Sequence, residues 1–153
     1  LKIYKSTETK LETSEIVSIM HLVGEQLPDP LCERVNIFDY TQKLLKNGSI
    51  YIVFNTQDNP VGIMGFYANN QITKVAYLTI IGLLPEARGK GIGNKLMKFL
   101  FTESHRLGMK KISLNVNQSN RQAIKLYKQQ GFKVKSHDKV KFEMIKTIQF
   151  DKQ

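Results

Sequence analysis

A chain with a single cysteine cannot close an internal disulfide, and Cys32 is the only cysteine among these 153 residues. That argues against a disulfide-stapled secreted scaffold and fits a reducing cytoplasm. No apolar stretch approaches the roughly 20 residues that span a bilayer. No charged-then-apolar segment stands at the beginning as a secretion signal would. The expected setting is therefore cytoplasmic, with no membrane partner. Internal repeats and low-complexity linkers are also missing, so the expectation is one domain over residues 1–153. No cluster of His, Cys, Asp and Glu has metal-ligand spacing, and no metal is expected. Cys32 has no histidine close in sequence and reads as a plain loop or core thiol rather than a nucleophile.

What the chain does have is positive charge, unevenly placed. Its formal net charge is +10. Residues 1–80 carry seven Lys and Arg against eight Asp and Glu, whereas residues 81–153 carry sixteen against five. Many of these lysines read as a solvated basic face, yet such a field also favours capture of a phosphate-bearing ligand. Nucleic acid is not an expected partner. Aromatic residues are scarce among the basic ones, and no nucleic-acid motif is present.

Periodicity places the elements. Residues 1–5 alternate as a strand, and Ile16, Ile19, Met20 and Val23 follow helical spacing from Thr13 to Gly24. Pro28 and Pro30 open a loop to about Asn36, before a second helix from Ile37 to Lys46 that stops at Asn47-Gly48. Strands are expected at 50–55, 61–68 and 75–84, joined by turns at Gln57-Asp58-Asn59 and Asn69-Asn70. A third helix carries the stripe Ile92, Leu96, Phe99, Leu100 and Leu107, with Gly108 as its stop. A strand at 111–116 precedes a fourth helix, for which Ser119 and Gln122 supply a capping box and Gly131 the end. Strands at 132–135 and 140–148 close the chain. The order β-α-α-β-β-β-α-β-α-β-β predicts an α/β (α+β) domain, a mixed central sheet flanked by helices on both sides.

Between the strand ending at Leu84 and the third helix lies Arg88-Gly89-Lys90-Gly91-Ile92-Gly93. Glycine at alternate positions lets backbone N–H groups approach a ligand without Cβ interference. The following helix adds its positive end, an arrangement suited to phosphate; a tight strand-to-helix turn is the plainer reading. A Walker loop is excluded because no Ser or Thr follows Lys90. The dinucleotide fingerprint is excluded by its spacing, and by Met109-Lys110-Lys111 where an acid is required. Further on, Asn120-Arg121-Gln122-Ala123-Ile124-Lys125-Leu126-Tyr127 is followed by Gly131-Phe132.

The first segment resembles the coenzyme A loop, Arg-x-x-Gly-x-Gly, of the GNAT superfamily of N-acetyltransferases. The second resembles that superfamily's Asn-x-x-Ala-x-x-Leu-Tyr-x-x-x-Gly-Phe pattern. Their order and separation fit as well, and the element order extends the likeness to the whole chain, least clearly over residues 1–50. The resemblance implies direct acetyl transfer from acetyl-CoA, as cosubstrate, to a primary amine. It implies that the Gly89, Lys90, Gly91, Ile92 and Gly93 loop binds the pyrophosphate, with Arg88 at its entrance. Ile81, Gly82 and Leu83 would pair with the pantetheine arm, and Asn120 would hydrogen-bond coenzyme A; the plainer reading of Asn120 is a helix-entry residue beside Ser119. Gly82 suits a strand bulge that frees an N–H for the oxyanion, or a close ligand approach, or a harmless twist. Tyr127 is the implied general acid toward the departing thiolate; a core tyrosine is the alternative.

The expected base is missing. Several members of the superfamily carry a Glu on the strand before the loop, where Val75-Ala76-Tyr77-Leu78-Thr79-Ile80-Ile81 has no carboxylate. Ribosomal-protein N-terminal acetyltransferases carry one five residues before the motif asparagine, and Asn115 occupies that position here. Deprotonating a lysine-like amine of pKa about 10.4 at pH 7 costs roughly 4.6 kcal/mol, against about 1 kcal/mol for an amine near 7.7. The expected acceptor is therefore a small molecule with a weakly basic amine, such as an amino sugar. Alternatives are a non-catalytic acyl-CoA-binding module and a protein N-terminal acetyltransferase. Glu143, Asp39, Glu33 and His21 are the remaining candidate bases, while His105 and His137 read as surface residues. The helix-loop-helix from Gly24 to Lys46, where acids and bases nearly balance, is expected to form the acceptor side and to disfavour polycations. Arg34 in that loop is a candidate for holding an acceptor phosphate or carboxylate. Monomer and homodimer are both compatible with these features.

Overall fold

Alternating apolar residues in the strands and helical stripes in the helices sort onto the two sides of one sheet. The computed structural model describes residues 1–148; the last five residues of the expected domain lie outside the described residues. The elements run β1 (Lys2–Lys5), α1 (Thr13–Gly24), α2 (Ile37–Asn47), β2 (Ser49–Phe54), β3 (Pro60–Tyr67), β4 (Val75–Leu83), α3 (Ile92–Arg106), β5 (Lys111–Asn117), α4 (Arg121–Gln129), β6 (Lys133–His137) and β7 (Lys141–Thr147). This is the expected order, with short 3-10 turns added at 6–8, 31–33 and 85–87.

The strands lie in the order β1-β2-β3-β4-β5-β7-β6. Neighbours are antiparallel except β4 and β5, which run parallel. A parallel pair needs a crossover, and α3 supplies it. On one side, Phe66, Leu78, Ile112, Leu114 and Met144 pack with Ile92, Leu96, Met97 and Leu100 of α3 and with Tyr127 of α4. On the other, Ile50, Ile52, Ile63 and Ile80 pack with Ile16, Ile19, Met20 and Val23 of α1 and Leu44 of α2. Each such side chain, fully buried, stabilises by about 1.5–3 kcal/mol.

Two local expectations are corrected. Phe99 is not in the buried stripe of α3; it stays 39% exposed, its ring 5.1 Å from that of Tyr51, and Met97 fills the core instead. The Ser119 and Gln122 capping box does not form. Ser119 donates its N–H and hydroxyl to Asn117 Oδ1 at 2.9 and 2.7 Å, so the turn consumes it. Asn120 caps α4 in its place, accepting from the Ala123 N–H at 3.2 Å.

Strand β1 is fastened to α3 by charge. The Glu103 carboxylate bonds Arg106, and Lys5 reaches it at 3.4 Å. These cations, Arg106 first, hold it below the usual carboxylate range. Burial, reinforced by Glu103, pushes the nearby Tyr51 phenol up to about 12. Tyr40 of α2 is likewise raised to about 12 by burial. The unfolded chain releases these protons near pH 10 while the native chain retains them. Stability therefore falls as pH rises from about 10 to 12, and these two groups contribute no slope below that window. Denaturation midpoints measured from pH 8 to 12 should decline in that window, and less steeply in Tyr51→Phe; an equal decline in the variant contradicts the assignment.

Candidate active site

The site begins where two strands part. β4 pairs with β5 only from Val75–Leu78 against Lys111–Leu114. On its other edge, Leu78 is opposite Phe66 and Ile80 is opposite Gly65, which leaves Thr79 without a partner. That extra residue is a β-bulge. It inverts the facing of the strand: Leu78 belongs to the core beneath α3 and α4, whereas Ile80 belongs to the core beneath α1 and α2. Beyond it, residues 79–83 have no ladder partner on the β5 side.

The bulge expected at Gly82 is therefore at Thr79. Gly82 stands in regular register with Ile63. It lacks a side chain because α1 passes over it: a Cβ there would lie 2.8 Å from Val23 Cγ1 and 3.2 Å from Leu27 Cδ2. The bulged residue is tied to α2 by a 2.8 Å hydrogen bond between the Thr79 and Tyr40 hydroxyls.

An open cleft of about 330 Å³ runs along the free edge, lined by Ile81, Gly82, Leu83, Arg88, Gly89, Gly93 and Asn120, with α4 as its far wall. The loop at its end has the character of an anion cradle. Gly89 and Gly91 adopt φ of 73° and 75°, and a Cβ on either would meet nothing within 4 Å. Gly91 sits at the N-cap of α3 and supplies no side-chain cap. Among the described residues, no acceptor takes the N–H groups of residues 89–94, so a helix N-terminus and its amides are unspent. Arg88 Nε donates to the Leu83 carbonyl at 3.0 Å and pins the loop to the strand end. The remaining predicted residues divide by role. Lys90 is exposed, and the Ile92 side chain is buried in the core, which leaves its amide for the loop. Gly93 lets α3 approach α4, since a Cβ would lie 3.1 Å from Leu126 Cδ2.

A smaller hollow, about 70 Å³, adjoins the cleft and shares Leu27, Pro28, Ile81 and Asn120 with it. Thr79, Asn115, Asn117, Tyr127, Asp29, Arg34 and Lys141 add its other polar groups, beside the apolar Leu78, Ile80 and Val116. Tyr127 is both core and site. It is 6% exposed with its ring 5.8 Å from Phe132, yet it reaches the hollow. Burial, then Tyr77, holds its phenol well above the ordinary value of 10.0, so it stays protonated. Asn120 spends Oδ1 on its cap, which leaves Nδ2 to donate. Asn115 Nδ2 donates to the Tyr77 hydroxyl at 3.3 Å.

None of the four candidate bases lines the hollow. Glu143 is cross-strand from Asn115 and accepts from Ser136 at 2.9 Å. Asp39 borders a separate surface depression beside α2. Glu33 is exposed, and exposed His21 faces Glu25 at 3.8 Å. The one carboxylate present, Asp29, lies 3.4 Å from Arg34 Nε. Among the described residues no group of acids, histidines and cysteines could hold a metal ion, and no helix is long and apolar enough to cross a membrane.

Asn117 and Lys141 line the hollow, and Tyr40 and Tyr77 hold its lining residues Thr79 and Asn115; none of the four is marked as a site residue by sequence motif. The available signal was the polar alternation of Tyr77 and Thr79 in an otherwise apolar strand, which marks one face as facing something other than core.

Comparison with known proteins fits this geometry. The peptidyl-lysine N-acetyltransferase YjaB of Escherichia coli (strain K12) is 29% identical over 108 residues, 70% of this chain and 65% of that relative, just under two thirds of its length. The [ribosomal protein bS18]-alanine N-acetyltransferase of the same strain is 28% identical over 130 residues, 83% of this chain and 80% of that relative. A PaiA N-acetyltransferase from Thermoplasma acidophilum, solved in complex with coenzyme A, superposes with a TM-score of 0.72 at 20% identity, covering 96% of this chain and 99% of that one. That likeness establishes the fold. Residues 16–132, more than half of the chain, match the acetyltransferase (GNAT) family, and the chain belongs to that family.

Proposed function

We propose that the chain is an acetyl-CoA-dependent N-acetyltransferase that acts by direct transfer in a ternary complex. One observation carries this reading: the cleft and the polar hollow meet between Ile81, on the unpaired edge of β4, and Asn120, at the N-cap of α4. A long donor lying in the cleft and an amine in the hollow would approach each other there. Acetyl-CoA supplies an activated thioester and a pyrophosphate anchor. The loop amides of residues 89–94 and the α3 terminus suit the pyrophosphate, and the free edge at Ile81, Gly82 and Leu83 suits an extended arm that adds as a strand. A new nitrogen–carbon bond forms as the carbon–sulfur bond breaks, and the proton lost by nitrogen balances the one gained by sulfur.

Tyr127 would handle the leaving sulfur, a role supported by its reach into the hollow. Its raised pKa changes the expected detail. A thiol has a pKa near 8.5, so complete transfer from so reluctant a phenol is steeply uphill. Tyr127 instead acts first as a hydrogen-bond donor to the developing thiolate, with the proton passing over as the amine's is released.

For the acceptor, the small volume and the absence of a free carboxylate support a small molecule with a weakly basic primary amine, such as an amino sugar. Protein lysine is the second reading, supported by the peptidyl-lysine relative. It would require Glu143 or water to take a proton that lysine holds tightly. A binding module without catalysis is the class-distinct rival.

Three measurements decide among these. Calorimetry should detect acetyl-CoA binding that Gly91→Trp abolishes, because the indole fills an open cradle and a side chain at φ 75° also strains the loop backbone; binding that survives reduces the loop to a turn. Gly93→Trp is a poorer probe, since it collides with Leu126. Tyr127→Phe should lower kcat about 10²-fold with acetyl-CoA affinity nearly constant, and unchanged turnover assigns the tyrosine to packing alone. Across a series of amines, the kinetic pKa in kcat/KM should follow each amine's own pKa. One shared limb would reveal an enzyme base, and lysine acceptors favoured at pH 7 would make Glu143 the residue to mutate.

A further inference from the structure

The hollow holds two cations and one carboxylate, and the carboxylate is engaged. Arg34 comes from the loop between α1 and α2, and Lys141 opens β7. Arg34 Nε meets Asp29 Oδ2 at 3.4 Å, and no other ion pair or hydrogen bond of its guanidinium exists among the described residues. Its two terminal nitrogens, the fork that reads carboxylate and phosphate, are thus unspent. Lys141 is cross-strand from Asn117 on the face that also carries Asn115 and Glu143. Its ammonium forms no ion pair within 4 Å among the described residues, although its charge, after the two backbone N–H groups, helps to hold the Asp138 carboxyl below its ordinary range. Glu143 accepts from Ser136. Asp138 accepts the Val140 and Lys141 backbone N–H groups, both at 2.7 Å. The rest of the polar lining, Thr79, Asn115, Asn117, Asn120 and Tyr127, is neutral.

Two partly desolvated cations facing one small space repel each other and any ammonium brought in beside them. A polyamine would enter against that field. An acceptor with an oxyanion at the end remote from its amine would relieve it. The amine end would then lie toward the β4 edge, among neutral donors and acceptors. We infer that the acceptor carries an anionic oxygen group, a phosphate or a carboxylate, bound between Arg34 and Lys141, and that this pair selects the substrate. This rests on the transferase reading for the amine but not for the anion.

Binding is therefore read apart from turnover, by calorimetry on protein saturated with coenzyme A. The probes are glucosamine 6-phosphate against glucosamine, and alanine against alaninamide. In at least one pair the anionic member should bind tenfold or more tightly, and the pair that responds identifies the anion. Raising the salt concentration should weaken that preference. Arg34→Met and Lys141→Met should each cut it to threefold or less with little change in melting temperature, while Arg34→Lys should retain part of it. Equal affinity within both pairs overturns the inference, as does a preference that both Met variants keep. If the anion preference holds but no acetylated amine is formed from any probe, the transferase reading falls and the anion site stands.

Discussion

Parallel pairing between β4 and β5 lasts four residues, and each feature attributed to function depends on where it stops. The extra residue Thr79 reverses the strand's facing. Ile80 then turns toward α1 while Ile81 and Leu83 turn toward α3, and the edge on the β5 side is left unpaired. An unpaired internal edge is costly unless something satisfies it. Here it runs from the glycine loop to the hollow beneath Tyr127, which is the path a long, polar donor molecule would need. The bulge is itself supported from outside the sheet by the Tyr40 hydroxyl. Helix α2 and the free edge of β4 are therefore mechanically joined.

Charge divides the labour across this opening. At the loop end, unspent amides and a helix terminus concentrate positive potential without a bulky side chain. At the hollow, Arg34 and Lys141 stand among neutral hydrogen-bonding groups, Thr79 and Asn115 included, and the one carboxylate, Asp29, is engaged by Arg34. On the proposed reading, a site without its own base would obtain a neutral amine by selection, and an environment that is net positive favours the neutral form. The missing acid and the extra cations would then serve one end.

Much of this was legible in the sequence because local rules write it. Gly89 and Gly91 could be recognised as loop glycines, since their conformation belongs to a single residue and penalises any other side chain. The eleven strands and helices were legible for the same reason, as each follows from its own periodicity. The bulge was not. It arises from the pairing of two strands, and Gly82 drew attention that belonged to Thr79 because a glycine in a strand fits a close helix as well as a bulge. Lys141 was equally hidden: its place at the site follows from its register with Asn117, set by a strand more than twenty residues away. The Ser119 cap was misassigned because Asn117 competes for the same hydroxyl, a preference visible only once the turn is formed.

The central claim is that the free edge of β4 and the amides of the α3 loop together receive the donor. Residue-resolved amide hydrogen exchange, with and without acetyl-CoA, tests it most directly. Added acetyl-CoA should slow exchange within both 81–83 and 89–94, and leave the β1 to β3 region unchanged. Protection confined to the loop, or found on neither segment, would contradict the account.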